Sequence, residues 1–168
     1  MSLLRADLKF DSITDITLEH LTALGVTALC IDADNTSGYD ARPEPLPGVP
    51  EWVKSMQDAG VQVLLLSNAG AKRAGIFADK LGIPVVGLAA KPLVHGYFMA
   101  CLKLRKTPGQ VAMVGDQLFT DILGANLAHM KSIYVFPFAK EERSRVSFGI
   151  RRGLEKVVFS LQEKHNRI

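Results

Sequence analysis

Apolar positions along the chain fall into two alternating textures. Short runs rich in Val, Ile and Leu occur at 26–31, 61–66, 84–88, 111–114 and 132–136, without a strict apolar/polar alternation. Such runs predict strands buried on both faces. Between them, residues 49–59, 71–81, 93–104 and 120–130 repeat their apolar positions at helical spacing, which predicts four helices. Gly60 and Gly82 stand just past the first two, where a left-handed residue closes a helix. Strand–helix–strand repetition of this kind needs right-handed crossovers and hence a parallel sheet. The expected fold class is α/β, a three-layer sandwich with a central parallel sheet. No repeat, low-complexity stretch or linker divides the chain, so residues 1–168 are expected to form one domain.

In an open parallel sheet the binding crevice lies beyond the carboxyl ends of the strands. The first apolar run ends in Asp32-Ala33-Asp34-Asn35-Thr36, and the second in Ser67-Asn68. Lys91 follows the third, and Gly115-Asp116 closes the fourth, with Asp121 shortly after. Acids, a hydroxyl and a lysine thus gather at one edge of the sheet. On an extended strand Asp32 and Asp34 point to opposite faces; a turn beginning at Ala33 brings both toward one pocket. Like-charged carboxylates about 4 Å apart cost roughly 4 kcal/mol per pair at an effective dielectric near 20. A phosphate dianion adds to that repulsion, and a divalent cation relieves it. Mg²⁺ suits such a place, since it takes one or two carboxylates, retained waters and a phosphate oxygen. One carboxylate can then attack phosphorus, while a second carboxyl protonates the leaving oxygen and activates water. Taken singly, each feature has an ordinary reading as a cap, a turn or a solvated side chain. Their common placement at strand ends sets this list apart.

At these residues the chain resembles the haloacid dehalogenase superfamily. The strand followed by DADNT resembles its first motif, LLLSN its second, AAKP its third and VGDQLFTD its fourth. The stretch GDQLFTDILGAN and the short intervals between motifs look most like subfamily IIIA, in particular its YqeG-type branch, related to phosphatidylglycerophosphate phosphatases. The resemblance extends to residues 13–25 and to the basic C-terminal segment. It implies a Rossmann-like domain and a phosphatase working through an aspartyl-phosphate. Asp32 is then the nucleophile and Asp34 the general acid/base. Ser67, Asn68 and Lys91 receive the phosphoryl group, and Lys91 stabilises its charge. Mg²⁺ is held by Asp32, the main-chain carbonyl of Asp34 and Asp116, with Asp121 in support. One departure is Ser37-Gly38, where relatives carry an apolar pair, which leaves the packing of that loop open.

The intervals from Thr36 to Ser67 and from Ser67 to Lys91 have no room for a domain-sized cap. The Pro-rich loop at 37–47 is the local candidate for covering the site, with Tyr39 and Arg42 as candidate substrate contacts. Trp52 is expected in the core. Cys30 and Cys101, far apart in apolar segments, read as reduced core residues, and the four histidines show no ligand spacing. The start of the chain lacks the pattern of a secretory signal, which fits a cytoplasmic protein. Residues 146–162 form a basic amphipathic pattern, with Val146, Ile150, Leu154, Val157, Val158 and Leu161 on one side and Arg145, Arg152 and Lys156 on the other. Its ordinary reading is a helix packed on the domain; its alternative is peripheral contact with an anionic membrane or with RNA. The net charge of +3 does not call for DNA.

The expected partner is a phosphorylated small molecule or lipid head group, with phosphatidylglycerophosphate the first candidate and a soluble nucleotide or sugar phosphate the alternative. A response-regulator receiver uses similar groups, but places its acidic pair after the first strand and the accepting Asp after the third; here DxD comes first. A third reading keeps the fold as a binding or assembly module on RNA or ribosomal particles. The full set of acids argues against lost activity.

Overall fold

A computed structural model describes residues 3–138; the basic segment at 146–162 lies outside the described residues. Six parallel strands form one sheet: β1 (Leu8–Phe10), β2 (Ala28–Ile31), β3 (Gln62–Leu66), β4 (Val85–Val86), β5 (Val111–Gly115) and β6 (Lys131–Val135). Their order is β1-β6-β5-β2-β3-β4, which puts β2 inside the sheet between β5 and β3. Every strand therefore ends at the same edge of the sheet, as the expected α/β sandwich requires.

Side chains alternate across the sheet and build a core on each face. Leu29, Ile31, Val63, Leu65, Ala112 and Val114 face one layer, which contains Trp52, Val53, Phe77 and Ala78 from α2 (Val49–Asp58) and α3 (Ala71–Leu81). Ala28, Cys30, Leu64, Leu66, Val111 and Met113 face the other, with Tyr97, Cys101 and Leu104 from α4 (Val94–Leu104) and Ala125 from α5 (Leu123–Leu127). Trp52 is buried and its indole donates to the Ile16 carbonyl at 2.9 Å. Both cysteines are buried and unbonded to each other, as expected of core thiols. Gly60 (φ +85°) and Gly82 (φ +63°) take the left-handed conformations that close α2 and α3.

Three elements differ from the sequence expectation. The edge strand β1, paired with β6 (Leu8 opposite Ile133), went unpredicted because it is three residues long with Lys9 in the middle. Helix α1 (Leu18–Leu24) lies outside the four expected helices, although Thr17 at its start and Gly25 (φ +70°) at its end are ordinary cap residues. The helix expected at 120–130 is instead a π-turn, Leu118–Ile122, running into the short α5. That wide turn places Asp121 over the end of β5, and π segments recur where a side chain must be aimed. No helix among the described residues is long and apolar enough to cross a membrane.

Candidate active site

The chain turns sharply where β2 ends. The Asp32 amide still pairs with Val114 of β5 at 2.9 Å, and the amides of Ser37 and Gly38 then both bond the Ala33 carbonyl, at 3.1 and 2.7 Å. The turn expected at Ala33 is present. It leaves Asp32 buried and Asp34 partly exposed.

Lys91 holds the centre of the site. Its Nζ donates to Asp32 Oδ1 and to Asp121 Oδ1, both at 2.7 Å. The lysine side chain is 3% exposed and that of Asp121 0%, so this is a sealed contact rather than a surface pair. Asp121 Oδ2 in turn accepts from the Gln117 amide at 3.1 Å, which fixes the carboxylate from the π-turn. Gly115 makes room for it: a Cβ there would lie 2.2 Å from Asp121 Oδ2. Lys91 is itself fixed by its main chain, whose N–H donates to Asn68 Oδ1 at 2.7 Å and whose carbonyl accepts from Asn68 Nδ2 at 3.1 Å. The Asn68 side chain, expected among the phosphate contacts, is thus engaged in holding the lysine loop. Ser67 is buried beside it and its Oγ accepts from the Ala69 amide at 3.1 Å, leaving the hydroxyl proton for another acceptor.

Carboxylate oxygens of Asp32, Asp116 and Asp121 lie within 4.8 Å of one another, all three residues buried. Thr36 Oγ1 reaches Asp116 Oδ1 at 3.4 Å. Three acids around one ammonium are short of positive charge, and hard oxygen donors at this spacing fit a divalent cation. Asp121, expected only in support, is a full member of the cluster. Burial pushes the Asp32 carboxyl up to about 7, with the charges of Asp121 and Asp34 adding to it and Lys91 only partly offsetting it. For Lys91 burial pulls downward, yet Asp121 and Asp32 outweigh it and raise the ammonium above its ordinary value. A cation among the acids would return Asp32 to the ionised form a nucleophile needs.

Asp34 goes elsewhere. Its Oδ1 accepts from Arg73 Nη1 at 2.7 Å and from the Ala41 amide at 3.0 Å, and its Oδ2 accepts from Arg73 Nη2 at 3.0 Å. Arg73, on the first turn of α3, is not among the residues expected from the sequence. One signal was available: a cation in the first turn opposes the helix dipole, which asks for a partner outside the helix.

The loop that departs from the apolar pattern packs tightly. Ser37 is buried and its hydroxyl donates to the Asp32 carbonyl. Gly38 lies against Phe77, whose ring would be 2.4 Å from a Cβ there. Tyr39 packs edge-on against Phe138 with ring centroids 5.5 Å apart, whereas Arg42 is exposed. Between Thr36 and Ser67 there is one loop, α2 and β3, with no large cap.

Residues 5–129 match the haloacid dehalogenase-like hydrolase family. The chain belongs to that family. It is 31% identical over 157 residues to the "Probable phosphatase YqeG" of Bacillus subtilis, covering 94% of this chain and 90% of that one. It is 30% identical over 123 residues to the mitochondrial "Phosphatidylglycerophosphatase GEP4" of Saccharomyces cerevisiae, covering 66% of each. Among solved structures, an uncharacterized protein from Listeria monocytogenes serotype 4b superposes with a TM-score of 0.57 at 18% identity, over 72% of this chain and 86% of that one. A hypothetical protein from Xanthomonas campestris gives 0.52 at 21%, over 74% and 72%. These structural likenesses concern the haloacid dehalogenase-like fold alone.

Proposed function

We propose that this hydrolase is a Mg²⁺-dependent phosphatase that cleaves a phosphate monoester through an aspartyl-phosphate on Asp32. The observation that carries the reading is the buried Asp32, bonded to Lys91 at 2.7 Å and within a 4.8 Å cluster with Asp116 and Asp121. With Oδ1 held by Lys91, Oδ2 is the oxygen that attacks phosphorus. As the new O–P bond forms, the ester P–O bond breaks and its electron pair leaves on the alkoxide, which takes a proton from Asp34. Water then gives a proton back to Asp34 and attacks phosphorus, freeing Asp32 and inorganic phosphate. Lys91 and the Ser67 hydroxyl bind the phosphoryl oxygens throughout, Lys91 by charge and Ser67 by its proton. Asp32, the Asp34 carbonyl and Asp116, with Asp121 beside them, would hold Mg²⁺, which would neutralise charge there.

Phosphatidylglycerophosphate is the proposed substrate, supported by the name of the yeast relative and by a site without a large cap, open to a head group in a membrane. The test is turnover of this lipid in anionic vesicles alongside soluble nucleotide and sugar phosphates, with Mg²⁺ and with EDTA. The expected result is Mg²⁺-dependent release of phosphate from the lipid, abolished by Asp32→Asn. Neutralising Arg145, Arg152 and Lys156 together should lower activity on vesicles, at about 1 kcal/mol per residue for attraction to an anionic surface. Hydrolysis of soluble esters alone would reject the lipid and keep the reaction; near wild-type turnover in a folded Asp32→Asn protein would reject the mechanism.

A further inference from the structure

Asp34 is given the acid/base role above, yet its two oxygens are turned away from that task. Both point at the Arg73 guanidinium, and Oδ1 also takes the Ala41 amide of the covering loop. An oxygen directed at a guanidinium is not directed at a leaving oxygen. The pair also differs from the sealed Lys91 contact: Arg73 and Asp34 side chains are 34% and 24% exposed, against 3% and 7% for Lys91 and Asp32. The Arg73–Asp34 pair is bidentate but partly open to water, so it is screened more than the sealed contact and a competing anion can reach it.

The Arg73 guanidinium sits within electrostatic reach of the acids of the site. Asp34, Asp40 and Asp32, the proposed nucleophile, all act on it electrostatically. It projects from the first turn of α3, a turn that holds no acidic residue and where the helix dipole favours an anion. Its planar fork accepts a phosphate oxygen pair as well as a carboxylate.

We propose that Arg73 is a substrate-exchanged latch: in the free protein it holds both oxygens of Asp34, and a substrate phosphate replaces them on the guanidinium. The exchange turns Asp34 toward the ester and frees the Ala41 amide, so the covering loop responds to the same event. The proposal rests on the phosphatase reading of Asp34. The anion is a phosphate, either the transferring group or a second phosphate of the substrate.

Inorganic phosphate with Mg²⁺ is titrated calorimetrically into the full chain and into Arg73→Ala and Arg73→Lys. The same proteins are assayed on glycerol phosphate and on phosphatidylglycerophosphate. Phosphate affinity should fall about tenfold or more in Arg73→Ala, the loss expected of a hydrogen-bonded contact to a charged group, with KM rising in step. Arg73→Lys, which keeps the charge without the fork, should fall between, and it carries the comparison if Arg73→Ala does not fold. A larger KM rise on the lipid assigns the guanidinium to the second phosphate; equal rises assign it to the transferring group. Unchanged phosphate affinity together with unchanged KM on both esters, or a loss confined to kcat, makes Arg73 a fixed prop for Asp34 and overturns the latch. Phosphate bound through Arg73 with neither ester turned over would reject these two substrates and leave the exchange at the guanidinium standing.

Discussion

Asp32→Asn should stabilise the metal-free protein at neutral and alkaline pH while removing its activity. The carboxyl is raised from 3.8 to about 7, first by burial and then by its acidic neighbours. A raised carboxyl binds its proton more tightly folded than unfolded. Its contribution is therefore complete below the unfolded value, falls as pH rises, and is lost once pH passes about 7. Holding the ionised form at pH 8 costs up to about 4 kcal/mol relative to a neutral side chain. At about 2–4 °C per kcal/mol for a chain of this size, Asp32→Asn should raise Tm by as much as roughly 8–16 °C. The assay is thermal unfolding in EDTA from pH 4.5 to 8.5, wild type against variant. The gap between the two should be small at the acid end, widen to about pH 7 and stay level above it. Added Mg²⁺ should narrow or reverse it, because only the wild type offers the third carboxylate and ligand binding stabilises the form that binds. A variant equal to or less stable than wild type at pH 8 in EDTA would refute the charge crowding argued here.

Lys91→Met should act in the opposite sense, since it takes away the ammonium that Asp32 and Asp121 share and leaves both buried acids without it, at about 3–5 kcal/mol; chemical denaturation at pH 7 checks it, and an unchanged midpoint would contradict the sealed contact. Gly115→Ala, whose Cβ would meet Asp121 Oδ2 at 2.2 Å, should displace that carboxylate and weaken divalent-cation binding, read by calorimetry. Asn68→Ala deletes both bonds to the Lys91 main chain and should cost about 1–3 kcal/mol of stability together with a clear drop in kcat; full activity would mean the lysine loop holds itself.

The parallel sheet was legible because β2, β3, β5 and β6 are buried almost throughout and read as unbroken apolar runs. The acids at their ends were legible because such a sheet carries its crevice there. β1 was not, since three residues with a central lysine carry no period and its partner lies over a hundred residues away in sequence. The π-turn was hidden too: periodicity cannot separate it from the α-helix it continues, and what selects it is the distant Lys91 that Asp121 must reach. Arg73 and the Ser37-Gly38 loop fall in the same class. Their roles are set by Asp34 and Phe77, contacts that a pattern read along the chain does not contain.

The strand order has a consequence for biosynthesis. β2 has two partners, β3 close behind it and β5 about eighty residues later. Translation at about 5–20 residues per second leaves the β5 side of β2 open on the order of ten seconds while the intervening chain emerges. During that interval the strand carrying Asp32 presents one bare ladder edge beside an apolar face, the kind of surface that chaperones hold and that mispairs between nascent chains. Sheet closure comes later still, when β6 emerges and β1 pairs with it. A ribosome stalled before β5 would therefore expose a sticky half-sheet, and slowing synthesis across α4 should lower the yield of native protein more than slowing it after β6.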